Sequence, residues 1–228
     1  MAPRRTRFAR LAFSARNAWP GPLERSAMPK LYYVPRTRAA RPRIVLEELG
    51  IPYELVRLDP GSGETRTPEH LARHPLGHVP VLEDGEVRLF ESGAICFWLA
   101  ERYGEGRLLA PPGSPARALA YQWLCFALSE LEPPLAPLAA ELKKPEPERD
   151  RARVEEGRAR FHAAARAVDA ALPGREFLLG SELSVADVVV AAVLSYGKFL
   201  AGLEGLPAAE AYVLRLRSRP AWKRAMAD

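Results

Sequence analysis

Read from Met28 onward, the chain first alternates strand-like and helical patterns and then turns helical throughout. Residues 30–34 (KLYYV) are β-rich and bounded by Pro35, the mark of a strand. Residues 37–49 follow a helical pattern in which Pro42 falls in the first turn, Ile44, Val45 and Leu46 form an apolar cluster, and Gly50 provides the stop. Residues 53–58 (YELVRL) predict a second strand, and strand, helix and strand at this spacing predict a parallel βαβ unit. After a loop over 60–67, Thr67 is placed to cap a short helix over 68–74. Two brief strands, 79–83 and 87–90, flank Asp84-Gly85, the signature of a two-residue hairpin turn. Helical spacing returns over 92–103, where Ile95, Leu99 and Tyr103 recur every fourth residue. The first part reads as βαβ, then α, then ββα.

A dense cluster of breakers, Gly104, Gly106, Pro111, Pro112, Gly113 and Pro115, marks a domain boundary. It divides a first domain over 28–104 from a second over 115–228, with 105–114 as linker. Beyond it no strand pattern emerges, and helices are predicted over 115–142, 148–172, 184–201 and 207–218. Pro133, Pro134 and Pro137 predict a kink or break in the first of these. The fold class is an α/β domain followed by an all-α domain.

A chain of 228 residues suits either one large domain or two modest ones, and the change of pattern decides for two. No apolar run approaches the roughly 18 residues that a membrane-crossing helix needs. The net charge of +5 points toward nucleic acid only until its distribution is read. Of 33 basic and 28 acidic side chains, six arginines and one glutamate lie in residues 1–27, leaving 27 of each sign elsewhere. The basicity belongs to the tail, and neither a nucleic acid nor a membrane is expected as partner. Residues 1–27 are read as a disordered or non-native extension: a transit peptide, a translated stretch upstream of a start at Met28, or a basic arm. Cys96 and Cys125 sit in apolar helical contexts and are expected to be free and buried. Without a Cys-x-x-Cys, neither a disulfide oxidoreductase nor a zinc site is expected.

Two segments carry candidate chemistry. In His74-Pro-Leu-Gly-His-Val-Pro-Val-Leu82 a proline opens a strand, and a cis bond there would turn Val79 outward. Val79 would then offer its N–H and C=O to an extended peptide ligand; the plainer reading is a loop meeting an edge strand. In Phe90-Glu-Ser-Gly-Ala-Ile95 a strand ends and a helix begins, which creates an anion site of unsatisfied N–H groups. Ser92 can hydrogen-bond a carboxylate there and Glu91 can pair with an ammonium, although any helix can begin with a serine cap.

Together these segments resemble the glutathione S-transferase family over residues 28–228. KLYYVPRTRAARPRIVLEELGIPYELVRLD is similar to the first βαβ of bacterial members, HPLGHVPVLEDG to the region of their cis-proline, and ESGAICFWLAERY to their γ-glutamyl-binding helix. Phe177-Leu-Leu-Gly followed by Leu183-Ser-Val-Ala-Asp187 resembles the family's N-capping box, with Ser184 and Asp187 as structural caps. Ser218-Arg-Pro-Ala-Trp222 resembles its C-terminal segment.

The resemblance implies a thioredoxin-like first domain, glutathione as co-substrate, a small electrophile as second substrate, no metal, and a cytoplasmic homodimer serving detoxification. It places glutathione against His78, Val79, Pro80, Glu91 and Ser92. The thiol reacts as its anion, so the site must favour the thiolate. Family members do this with a serine or cysteine after the first strand, but here those places hold Ala39 and Arg38. Thr37 through its hydroxyl and Arg38 through its charge become the catalytic candidates, with backbone N–H groups and Tyr32 or Tyr33 as further options. Alternation sends Tyr32 and Tyr33 to opposite faces, so one at most can face the ligand. Arg36 and Arg41 are further possible anion partners, with solvated surface charge the favoured reading. Tyr33, Arg117 and Tyr121 are candidates for the electrophile pocket; Arg117, Tyr121, Cys125 and Leu128 share one helical face, Trp123 and Phe126 lie on others, and spacing leaves open which face is pocket. The absence of the turn cysteine argues against thiol-transfer members, leaving conjugation, peroxidase activity or ligand carriage. The alternative is a non-catalytic glutathione-binding or regulatory protein of the same fold.

Overall fold

The computed structural model describes residues 28–227, so the reading of residues 1–27 lies outside the described residues. Strands β1 (Lys30–Tyr33), β2 (Glu54–Arg57), β3 (Val81–Asp84) and β4 (Val87–Phe90) form one sheet in the order β2-β1-β3-β4. Helix α1 (Ala40–Leu49) joins the parallel pair β1 and β2, while β3 runs antiparallel to both β1 and β4. The short α2 (Pro68–Arg73) is capped by Thr67, whose hydroxyl accepts the His70 N–H, and α3 (Ser92–Tyr103) follows β4. This is the expected βαβ, α, ββα order of a thioredoxin-like domain.

Pleating sorts the β1 side chains by face. Leu31 joins Ile44, Leu82, Ile95 and Leu99 in the core. Tyr32 turns toward α2, where the Arg73 guanidinium lies 4.6 Å from its ring centre. Tyr33 turns the other way, with the Arg43 guanidinium of α1 at 5.6 Å. The two tyrosines do face opposite ways.

The second half comprises α4 (Pro115–Phe126), α5 (Leu135–Leu142), α6 (Arg151–Ala171), α7 (Val185–Ala201), α8 (Pro207–Ser218) and α9 (Pro220–Ala225). Helix α7 is apolar around much of its circumference because it runs through the centre of the bundle and packs against α4, α5, α6 and α8. Its start is fixed by a full capping box: Ser184 Oγ accepts the Asp187 N–H, and the Asp187 carboxylate accepts the Ser184 N–H. That carboxylate also accepts the Leu178 N–H and the Tyr212 hydroxyl, both at 2.8 Å. Near the other end of α7, Gly197 lets the Phe161 ring of α6 approach so closely that a Cβ would lie 2.0 Å from it. Helix α1 packs on α3, α7 and α9, and α9 is tied back to it by the pairs Arg219–Glu48 and Arg224–Glu47, each at 2.6 Å.

Several expectations need correction. The helix expected from Thr37 begins at Ala40, because the Thr37 hydroxyl donates to Val34 O (2.6 Å) and accepts the Ala39 N–H (3.3 Å), holding 37–39 in a turn. The strand expected from Val79 begins at Val81, since Pro80 has no N–H to give the ladder. The break expected near Pro133 is present, as a π-helical turn over Ala127–Leu131 between α4 and α5. Helix α6 starts at Arg151 because Asp150 accepts the Arg153 N–H as its cap. Helix α9, one turn beginning at Pro220, was not anticipated. Cys125 is exposed where a buried thiol was expected; Cys96 is buried, and burial pushes its thiol up to about 12. Arg41 is 4% exposed, so it is not surface charge. Ala39 is 1% exposed, so its methyl is closed off from solvent.

Candidate functional site

The loop after β1, the N-terminus of α3 and the loop before β3 meet around one end of the sheet. Their geometry follows from a polar cluster at the base. Helix α4 cannot continue through Pro133 and Pro134, and the π-helical turn that ends it carries Glu132 at its exit. The Glu132 carboxylate receives Arg41 Nη2 at 2.7 Å and Nη1 at 3.2 Å, and Arg38 Nε at 2.7 Å. Burial pushes the Glu132 carboxyl up, but the Arg41 and Arg38 guanidiniums outweigh it and hold it below the usual carboxylate range. Two guanidiniums sharing one carboxylate keep one net positive charge beside the Thr37 turn. Arg41 Nη1 also donates to Ser92 Oγ at 3.1 Å, which leaves the serine proton free to be given elsewhere.

Glu91 precedes α3 with φ 73° and ψ 109°, a conformation that disfavours a side chain. The bend turns the chain from β4 into α3, and among the described residues the N–H groups of Ser92, Gly93 and Ala94 have no backbone partner. Gly93 permits close contact with the helical half, since a Cβ there would meet Leu124 at 2.8 Å and Leu128 at 3.1 Å.

On the opposite side, the Val79–Pro80 bond is cis. Among the described residues, neither the N–H nor the C=O of Val79 has a backbone partner. The preceding loop is closely held: Arg66 Nη1 donates to Leu76 O at 2.8 Å, and the Leu76 N–H donates to His74 Nδ1 at 3.1 Å. His78 is exposed, with its ring centre 5.3 Å from that of His74. Burial and the neighbouring His78 hold the His74 imidazole below its usual range, against the pull of Glu91.

Sequence reasoning named Arg38, Glu91, Ser92, His78, Val79 and Pro80; Glu132 and Arg41 link Arg38 to Ser92. It read Arg41 as surface and overlooked Glu132. The position of Arg41, three and four residues before Ile44 and Val45 on one helix face, was the available signal. The candidate pocket residues divide. Tyr33 lines a small cavity with Pro35, Arg36, Ala225 and Met226. Arg117 is buried, paired with Glu101 and donating to Ala110 O and the Tyr121 hydroxyl, while Tyr121 stacks on Phe97. Its guanidinium is therefore committed to holding α4 against α3. Among the described residues no cluster of metal-ligating side chains occurs, and no helix is long and apolar enough to cross a membrane.

The fold and the site define the class: a thioredoxin-like domain, with an unpaired backbone before β3 and an open helix N-terminus, backed by a helical domain. Residues 28–101 match the family description "Glutathione S-transferase, N-terminal domain", and residues 123–220 match "Glutathione S-transferase, C-terminal domain". Glutathione S-transferase 4 of Zea mays is 34% identical over 191 residues, covering 80% of this chain and 84% of its own. Glutathione S-transferase F10 of Arabidopsis thaliana is 31% identical, covering 84% of this chain and 93% of its own. A glutathione transferase family member from Pseudomonas fluorescens, solved with two glutathione bound, superposes with a TM-score of 0.81 at 28% identity, covering 90% of this chain and 95% of that one. The chain belongs to the glutathione S-transferase family. It is thus an enzyme of the transferase class with glutathione as co-substrate.

Proposed function

We propose that this protein conjugates glutathione to a small hydrophobic electrophile, acting as a cytoplasmic homodimer in detoxification. The observation that carries the reading is two open ends, the unpaired Val79 backbone and the unpaired N–H groups at the α3 N-terminus; in this reading the first pairs with the peptide and the second, with Ser92, receives the γ-glutamyl carboxylate. Glu91 meets the α-ammonium, and His78 gives one hydrogen bond to the glycyl carboxylate. Thr37 is the hydroxyl nearest the start of α1. Its proton rests on Val34 O in the structure and must turn to reach a sulfur. The net positive charge of Arg38, Arg41 and Glu132 favours the thiolate by field rather than by contact. Exposed Leu76, Phe90 and Tyr121 supply apolar surface for self-association.

Retention on glutathione-agarose followed by conjugation of an activated aryl halide tests the reading. Retention with turnover supports it; retention without turnover transfers the assignment to a ligand carrier. Calorimetry in the same series counts the glutathiones bound per chain.

A further inference from the structure

The peptide that presents Val79 is held from behind by a histidine that takes no part in the contacts above. His70 lies in α2 and is 1% exposed. Its Nε2 is 2.9 Å from the carbonyl oxygen of His78. A carbonyl only accepts, so Nε2 carries the proton of that contact. Nδ1 is buried and has no hydrogen-bond partner among the described residues. A nitrogen buried that way destabilises the fold, and an apolar side chain would fill the space without it. What an apolar side chain cannot supply is the bond to His78 O.

That bond fixes more than a carbonyl. His78 C=O and Val79 N–H belong to one planar peptide unit, and in the trans form they point in opposite directions. Holding the oxygen toward α2 therefore aims the Val79 N–H away from α2, into the open side of the site. The rest of the loop has its own supports. Gly77, at φ 59°, lies so close to Thr65 O that a Cβ would sit 2.3 Å from it, and Arg66 holds Leu76 O. Loss of the imidazole bond would free one peptide plane to swing without unravelling the loop.

We propose that His70 is a positioning residue for glutathione, acting through the His78–Val79 peptide plane. This rests on the reading that Val79 pairs with the glutathione backbone. His70→Phe removes the donor and the orphan nitrogen together, while His70→Gln returns an N–H at similar reach; His70→Leu serves if the phenyl ring is too large to fold in. The expected result is that the apolar variant raises KM for glutathione about fivefold, with kcat at saturating glutathione within twofold of wild type. Its melting temperature should be unchanged or higher, and the Gln variant should recover most of the affinity. An apolar variant with wild-type KM overturns the proposal, as does a Gln variant as impaired as the apolar one. Calorimetry on the wild type separates the two layers. Wild-type protein that binds no glutathione defeats the Val79 reading and this proposal together, whereas normal wild-type binding with an unmoved apolar variant defeats this proposal alone.

Discussion

Arg41 and Glu132 are 91 residues apart in sequence, yet Nη2 of the one lies 2.7 Å from Oε1 of the other. The contact joins the first helix of the thioredoxin-like half to the π-helical turn of the helical half, and Ser92 shares the same guanidinium. That ion pair therefore ties the halves together at the floor of the site, in addition to the Arg219–Glu48 and Arg117–Glu101 pairs that also cross between them.

Glu132→Gln should destabilise the protein by roughly 2–3 kcal/mol, because it leaves the buried Arg41 guanidinium without its counter-charge, with the exposed Arg38 beside it. The pH dependence follows from the lowered carboxyl. A group that titrates lower when folded contributes its stability above the unfolded value, about 4.3, and loses it as pH falls through the folded value. Melting curves of wild type should drop on acidification below about pH 5, and part of that drop should be missing in Glu132→Gln.

Thr37 and Arg38 differ in how they would act on the thiol. Thr37→Val removes one oriented hydrogen bond and should raise the bound thiol's pKa by under about one unit, with little change in salt dependence. Arg38→Ala takes the cluster with Arg41 and Glu132 from one net positive charge to none. It should raise the pKa and remove most of the salt dependence. Thiolate absorbance against pH at two ionic strengths distinguishes them. Equal behaviour of both variants and wild type would leave the helix N-terminus as the source of activation.

Asp187 should prove structural. Asp187→Ala orphans the buried Leu178 and Ser184 N–H groups and leaves the Tyr212 hydroxyl only the Asp187 carbonyl at 3.3 Å, so a loss of about 3 kcal/mol or more is expected. Ser184→Ala removes the cap and the 2.6 Å hydroxyl donation to Asp187 Oδ2, a smaller loss of roughly 1–2 kcal/mol. Denaturant titration measures both, and glutathione affinity of the folded fraction should not move.

Gly197→Ala drives a methyl into the Phe161 ring and should cost about 1–3 kcal/mol despite the better helix propensity of alanine. Phe161→Leu in the same chain should recover part of the loss, by a double-mutant cycle.

Much of the fold was legible because local signals agreed. The turn at Asp84-Gly85, the proline before Val81 and the box from Ser184 to Asp187 each name their structure within a few residues. The cis bond before Pro80 and the helix start at Ser92 were legible for the same reason, being carried by short local motifs. Arg41 with Glu132 and His70 with His78 were not. The first pair lies far apart in sequence, so its partner cannot be inferred from either residue. The second joins a side chain to a carbonyl, which any residue type supplies. Cys125 was misjudged because its apolar neighbours Leu124 and Phe126 say nothing of which side of α4 faces out. Where the helix starts after Thr37 depended on a side-chain bond to Val34 O that competes with helical pairing.

Helix α1 is held at once by the sheet domain, by α7 of the helical half and by the ion-paired α9. Its backbone amides can reach solvent only when both halves come apart. In hydrogen–deuterium exchange, Ile44, Val45 and Leu46 should therefore be among the slowest positions, protected by the full free energy of unfolding. Amides of the short α2 should exchange through smaller local openings. If the α1 amides tracked those of α2 instead, the two halves would be opening independently, and the protein would unfold as two units rather than one.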